Sequence, residues 1–182
     1  MTLRRITLAL LILYALITIY SIVGSTLGIG SSRFITPLVT LAGLVFALLH
    51  SGQREGWGRA LRLLALVFIV SLLFESVGVA TGWVYGPYHY TDKLGLKFLD
   101  LVPYLIPLAW FMMSYPSFVI ADWLVSSLRK RWQRLLSVAA VGGLVMTAWD
   151  LTMNPILVAN WNWVWDTTGA YFGVPLQNFW IL

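Results

Sequence analysis

The sequence predicts an all-α protein: a polytopic membrane helix bundle with five full spans and a short apolar C-terminal segment. Three observations predict it. Of 182 residues, 59% are hydrophobic and only 10% are charged, against about 45–50% and roughly a quarter in soluble globular chains. The apolar residues fall in runs near the length of about 20 that a helix needs to cross a bilayer. The cations alternate between the two ends of those runs. Such a composition excludes a disordered chain or a soluble enzyme. The absence of cysteine excludes a disulfide scaffold, thiolate metal sites and cysteine nucleophiles, and says nothing about compartment.

Taken in order, the runs are Ile6–Gly24, Phe34–His50, Ala60–Gly82, Leu101–Trp123 and Leu135–Ile156. The first exceeds the 7–15 apolar residues of a signal peptide and further spans follow it, so it reads as a retained helix. The last run, Ala170–Leu182, is too short for a span. It reads as a re-entrant piece, an interfacial segment or the start of a truncated sixth helix. No repeat, low-complexity tract or long linker divides the chain, so residues 1–182 read as a single integral-membrane domain.

Arg4, Arg5, Arg54, Arg59, Arg62, Arg129, Lys130, Arg131 and Arg134 gather at one end of the spans, nine of the twelve cations, while Arg33, Lys93 and Lys97 lie at the other. By the positive-inside rule the N-terminus and the two basic loops are cytoplasmic. We expect a multi-pass protein of the plasma membrane in contact with lipid. Topology accounts for the net charge of +5, and nucleic acid is not expected as a partner.

Ionisable residues inside spans are costly, about 2.5–3.5 kcal/mol at a helix centre. Two stand out, Glu75 in the third run and Asp150 in the fifth. Each lies about six residues from the outer end of its run, or about 9 Å deep. Ser71, Glu75, Gly78 and Gly82 share one helix face by spacing, as do Gly143, Thr147, Asp150 and Asn154, and Tyr14, Thr18, Ser21 and Ser25. Stripes of this kind line helix contacts or an internal cavity. Asp122 is expected to pair with Arg129 or Lys130, and Glu55 to be a solvated charge. Asp92 follows a tyrosine cluster and is placed to fold over the site. His50 and His89 lack the spacing of a metal site, and no nucleotide-binding or Gly-x-Ser-x-Gly pattern occurs.

Many of the ten tryptophans and eight tyrosines suit an interfacial belt. Trp110, about eight residues or 12 Å into the fourth run, lies below such a belt, and Trp149 adjoins Asp150. Trp161, Trp163 and Trp165 alternate, so an extended backbone would put all three on one face.

Phe74-Glu-Ser-Val-Gly78, Thr81-Gly-Trp-Val-Tyr-Gly-Pro-Tyr-His-Tyr90, Leu94-Gly95 and Val102-Pro-Tyr-Leu-Ile-Pro-Leu-Ala-Trp110 are followed by Trp149-Asp-Leu-Thr-Met-Asn-Pro155, Trp161-Asn-Trp163 and Tyr171-Phe-Gly-Val-Pro-Leu-Gln-Asn-Phe179. Together these motifs resemble the membrane carotenoid hydratase family of the CruF type, over roughly residues 70–179. Asn154 stands where the family pattern commonly has an acid, and the pattern continues past the Asn-Phe motif with Gly-Trp and more apolar sequence. The resemblance implies addition of water to a terminal C=C bond of an acyclic carotenoid, giving a tertiary alcohol. It implies neither an organic cofactor nor a metal, and other carotenoid-pathway enzymes are possible partners.

That chemistry needs a proton donor, a pocket that tolerates a tertiary cation, and a positioned water. Desolvation disfavours the anion of a buried carboxyl and so favours a donor, and two nearby carboxyls titrate apart. We therefore expect Glu75 and Asp150 to be the proton-transfer pair, with Asp92 as a third catalytic candidate. Trp110 and Trp149 would face the cation through their rings, and Asn154 would orient water. Tyr85, Tyr88, Trp161, Trp163 and Asn178 complete the expected substrate contacts. A carotenoid cyclase or isomerase shares the acid-and-aromatic logic. A small transporter or non-catalytic subunit would use the carboxyls as a proton relay or as packing.

Overall fold

Five long helices carry the five apolar runs: α1 (Leu3–Thr26), α2 (Ile35–Glu55), α3 (Trp57–Thr81), α4 (Leu105–Leu124) and α5 (Arg131–Ala159). All are long and apolar enough to cross a membrane, and the chain is a multi-pass membrane protein. The structure is a computed structural model that describes residues 3–28 and 34–180. Arg33, Leu182 and the side chain of Ser25 lie outside that description.

At the basic end α1, α2, α3 and α5 extend beyond the hydropathy-based spans, to Leu3, Glu55, Trp57 and Arg131, because arginines continue the helical turn past the apolar stretch. The fourth is an exception and starts later, at Leu105 rather than Leu101, because Val102–Pro103 forms a strand, β3, paired with β2 (Lys97–Phe98). Trp110 is therefore only five residues into α4, about 7–8 Å along it. Asp150, conversely, lies nine residues from the end of α5, not six.

Helix α4 packs against α2, α3 and α5, while α1 lies against α2 and touches α5. Thr40, Gly43, Ala47 and Ser51 are the buried face of α2, a small-residue stripe that lets the neighbouring helices approach. Phe111 and Tyr115 of α4 are fully buried against Ala47. At the basic end Asp122 accepts from Arg54 at 2.8 Å and from Arg134 at 2.6 Å, tying α4 to α2 and α5. The expected partners Arg129 and Lys130 are not those found. Asp122 lies on the face of α4 that meets its helix neighbours, so their arginines reach it before the following loop can. Glu55 pairs with Arg54 at 3.0 Å.

The opposite end is a cap. Strand β1 (Tyr88–Tyr90) pairs antiparallel with β4 (Trp163–Trp165), placing Tyr88 across from Trp165 and Tyr90 across from Trp163. The last apolar run forms a bridged turn, Gly169 to Gly173 and Tyr171 to Val174, and then a one-turn helix, α6 (Gln177–Trp180). A backbone defect secures this turn. Pro155 lies inside α5 and has no N–H to give the carbonyl four residues back, that of Leu151. The Tyr171 hydroxyl donates to that carbonyl at 3.1 Å.

Candidate active site

Glu75 is buried, at 5% exposure, near the cap end of α3. Residues two apart on a strand share a face, so Tyr88 and Tyr90 both turn inward while His89 turns out to pair with Asp166 at 2.8 Å. The hydroxyls of both tyrosines donate to Glu75 Oε2, Tyr90 at 2.8 Å and Tyr88 in a short hydrogen bond. Trp110 Nε1 donates to Oε1 at 2.8 Å. A carboxylate offers about four acceptor sites, so three donors leave about one open. Burial, and then the Glu75 carboxyl beside them, push the ionisation of Tyr88 and Tyr90 far above the ordinary phenol range. Both therefore keep their protons and serve as donors.

Aromatic packing holds this geometry. Tyr88 meets Tyr90 edge-on at 5.4 Å and Trp165 at 5.0 Å, and Tyr90 meets Trp163 edge-on at 5.9 Å. Gly78, one turn after Glu75, is needed for close approach, since a Cβ there would lie 2.9 Å from the Tyr85 ring. Tyr85 is itself buried, and burial first, then Glu75, raises its ionisation.

Asp150 comes from α5 and is held by two amides. Asn178 of α6 donates to Oδ2 at 2.6 Å, and Asn154, one turn on, approaches at 3.3 and 3.5 Å. Trp163 Nε1 donates to Asn154 Oδ1 at 3.2 Å. An indole nitrogen cannot accept, so this bond orients the Asn154 amide with its NH₂ toward Asp150.

Both carboxyls line one cavity of about 160 Å³, together with Tyr85, Tyr88, Trp110, Trp149, Asn154, Trp163 and Asn178. A 150 Å³ apolar cavity holds a benzene ring, so this one takes the end of a long apolar molecule and not its length. Two expected site residues are elsewhere. Asp92 opens an exposed turn, and the Lys97 ammonium hydrogen-bonded to it at 2.8 Å holds its carboxyl below the usual range. The same ammonium donates to the Tyr90 carbonyl at 2.8 Å, so Asp92 is held on the outside of the cap and not over the cavity. Trp161 has φ of 57° and is 63% exposed, so it leaves the extended run, and only Trp163 and Trp165 share the inner face.

Trp165 lines the cavity with Trp163, and so does Tyr90, which was not expected there. The signal for Tyr90 was its spacing of two from Tyr88. The buried Trp165 Nε1 finds no partner among the described residues. The hydroxyl stripe of α1 also reaches the cavity through Tyr14, Thr18 and Ser21. Among the described residues no cluster of three His, Asp or Glu side chains is arranged to hold a metal ion.

Comparison with known proteins places this architecture. Residues 35–182 match the family described as carotenoid biosynthesis protein. The chain is 34% identical over 152 residues to the bisanhydrobacterioruberin hydratase of Haloarcula japonica, covering 82% of this chain and 47% of that protein. It thus spans about half the length of that relative. No solved structure matches. The family match extends over most of the chain, including all the residues around both carboxyls except the α1 wall, and the chain belongs to the carotenoid biosynthesis protein family.

Proposed function

We propose that the protein adds water across a terminal C=C bond of an acyclic carotenoid, giving a tertiary alcohol, with Glu75 and Asp150 moving the protons. One observation carries this: two carboxyls from different helices share a single aromatic-walled cavity that admits only the end of a long apolar chain. The similarity to a protein named as a carotenoid hydratase supports the substrate class. The chemistry needs no cofactor. One carboxylic acid gives its proton to the alkene CH, a C–H bond forms, and the charge moves to the tertiary carbon. Water adds there through oxygen, and the proton it loses passes to the partner carboxylate. The rings of Trp110 and Trp149 face a cation favourably, and the three donors on Glu75 keep its carboxyl in place. We place the protein in the plasma membrane as a single domain, with the basic end and N-terminus in the cytoplasm, on the charge bias of the loops.

The test is expression in a lycopene-producing host, with pigments separated by chromatography and weighed by mass spectrometry. The expected product is heavier by one water and disappears in Glu75→Gln and in Asp150→Asn. Hydration that survives both substitutions would overturn the carboxyl assignment. A new pigment of unchanged mass would indicate cyclisation or isomerisation instead.

A further inference from the structure

The cavity has a second polar wall that the two carboxyls do not use. It is made by Tyr14, Thr18 and Ser21 of α1 and by Thr36 and Thr40 of α2. On each helix the spacing is three or four, which is one face. Thr40 is 6% exposed and lines the cavity, and its side-chain hydroxyl has no described hydrogen-bond partner. The hydroxyls of Ser21 and Thr36 are likewise without a described partner. Thr18 donates to the carbonyl of Tyr14 at 2.8 Å, which leaves its oxygen lone pairs free to accept. Gly43, one turn along from Thr40, keeps this wall tight: a Cβ there would lie 2.9 Å from the Tyr14 ring.

Ser21 and Thr36 are half-buried; hydroxyls that face a cavity without a protein partner are costly unless water meets them, and a cavity with such a polar wall is roomy enough to hold it. Lipid or a hydrocarbon substrate would satisfy none of them. We propose that the α1–α2 hydroxyl wall, with Thr40 at its centre, holds the water that is added to the double bond. The inference rests on the hydration reading and gives it a second, separate half. The carboxyls of α3 and α5 deliver a proton to the alkene CH, breaking an O–H and forming a C–H bond. The oxygen of the held water then bonds to the tertiary carbon and gives up its own proton to the partner carboxylate. The wall makes no bond to carbon, so these are positioning residues.

A positioning role has a signature that a structural role lacks. With the acids intact and the water displaced, the cation still forms and loses a proton, so the substrate is regenerated after exchange. Washed membranes carrying the wild type, a Ser21→Ala/Thr36→Val/Thr40→Val triple variant, or Thr40→Ser would be given lycopene in D₂O. The wild type is expected to give the alcohol with deuterium on carbon. The triple variant is expected to give at least about tenfold less alcohol, the equivalent of about 1.4 kcal/mol, while returning deuterium-labelled carotenoid without added water. Thr40→Ser keeps the hydroxyl and is expected to retain most of the yield.

Alcohol formed by the triple variant at the wild-type rate would overturn the proposal. So would loss of alcohol without deuterium exchange, since protonation itself would then have failed. A parallel incubation with an acyclic carotenoid already bearing a hydroxyl separates the other source of the same chemistry. A defect confined to that substrate would mean that the wall binds a substrate alcohol, not water. If the wild type itself forms no alcohol, the hydration reading is what has failed.

Discussion

Replacing Tyr171 by Phe removes one hydroxyl and tests how the cap is fastened to the bundle. The ring keeps its edge-on contacts with Phe172 at 4.9 Å and Phe179 at 5.5 Å, so the loss is confined to the bond to the Leu151 carbonyl. Pro155 cannot supply a substitute donor from within α5. In the apolar region an unsatisfied carbonyl costs its full desolvation, about 1–3 kcal/mol, and not merely the 0.5–1.5 kcal/mol net of an ordinary hydrogen bond. For a chain of this size that corresponds to a fall in melting temperature of about 2–4 °C per kcal/mol, measurable by thermal unfolding in detergent. The decisive comparison is made in a Pro155→Ala background. There the alanine N–H can reach Leu151, and Tyr171→Phe should cost no more than about 0.5 kcal/mol. If Tyr171→Phe costs the same in both backgrounds, the hydroxyl does not replace the missing N–H and the reasoning fails.

The donors on Glu75 make a second prediction: Tyr90→Phe keeps the ring against Trp163 but should lower the rate of the proposed hydration about tenfold or more, as a bond to a charged group is worth about 1.5–3 kcal/mol; unchanged turnover in Tyr90→Phe and Trp110→Phe would refute the network. Gly78→Val pushes a side chain into the Tyr85 ring and should destabilise the protein by about 1–3 kcal/mol and reduce product, read by melting and pigment yield. Asp92→Asn should leave product yield at the wild-type level, because its carboxyl is fully exposed and Lys97 keeps its bond to the Tyr90 carbonyl at 2.8 Å; a large loss of yield would return Asp92 to the site. The chain has no cysteine, so single substitutions report topology cleanly: a membrane-impermeant thiol reagent applied to intact cells should label Thr168→Cys in the cap and spare Ser126→Cys in the basic loop.

The five helices were legible because each is a local signal, a run of apolar residues with cations at one end. Glu75 and Asp150 were legible for the same reason: a carboxyl in an apolar run is expensive wherever the rest of the chain goes. The 4-3-4 stripes on α1, α3 and α5 were also legible as faces, and members of all three line the cavity. Asp92 and Trp161 were misplaced because their positions depend on backbone geometry that residue spacing does not carry. At Trp161 the chain enters φ 57°, which breaks the two-residue alternation. At Asp92 a lysine five residues on captures the carboxyl.

Beyond Asn154, one turn from Asp150, sequence spacing could not supply the partners of the buried carboxyls. Each had to have partners, since a desolvated carboxyl without hydrogen bonds would unfold its surroundings. Their identity rests on pairings far apart in the chain: β1 with β4, and α6 with α5. Register decides the outcome. A slip of one residue in β1 would turn Tyr88 and Tyr90 away and point His89 at Glu75, exchanging two neutral hydroxyl donors for an imidazole. The cross-strand ring pairs that prevent this, Tyr88 with Trp165 and Tyr90 with Trp163, explain the tryptophan density of the cap better than an interfacial belt does. The aromatic cap therefore sets the chemistry of the carboxyls beneath it, and a substitution at Trp165 that loosened the register should alter the site without touching either acid.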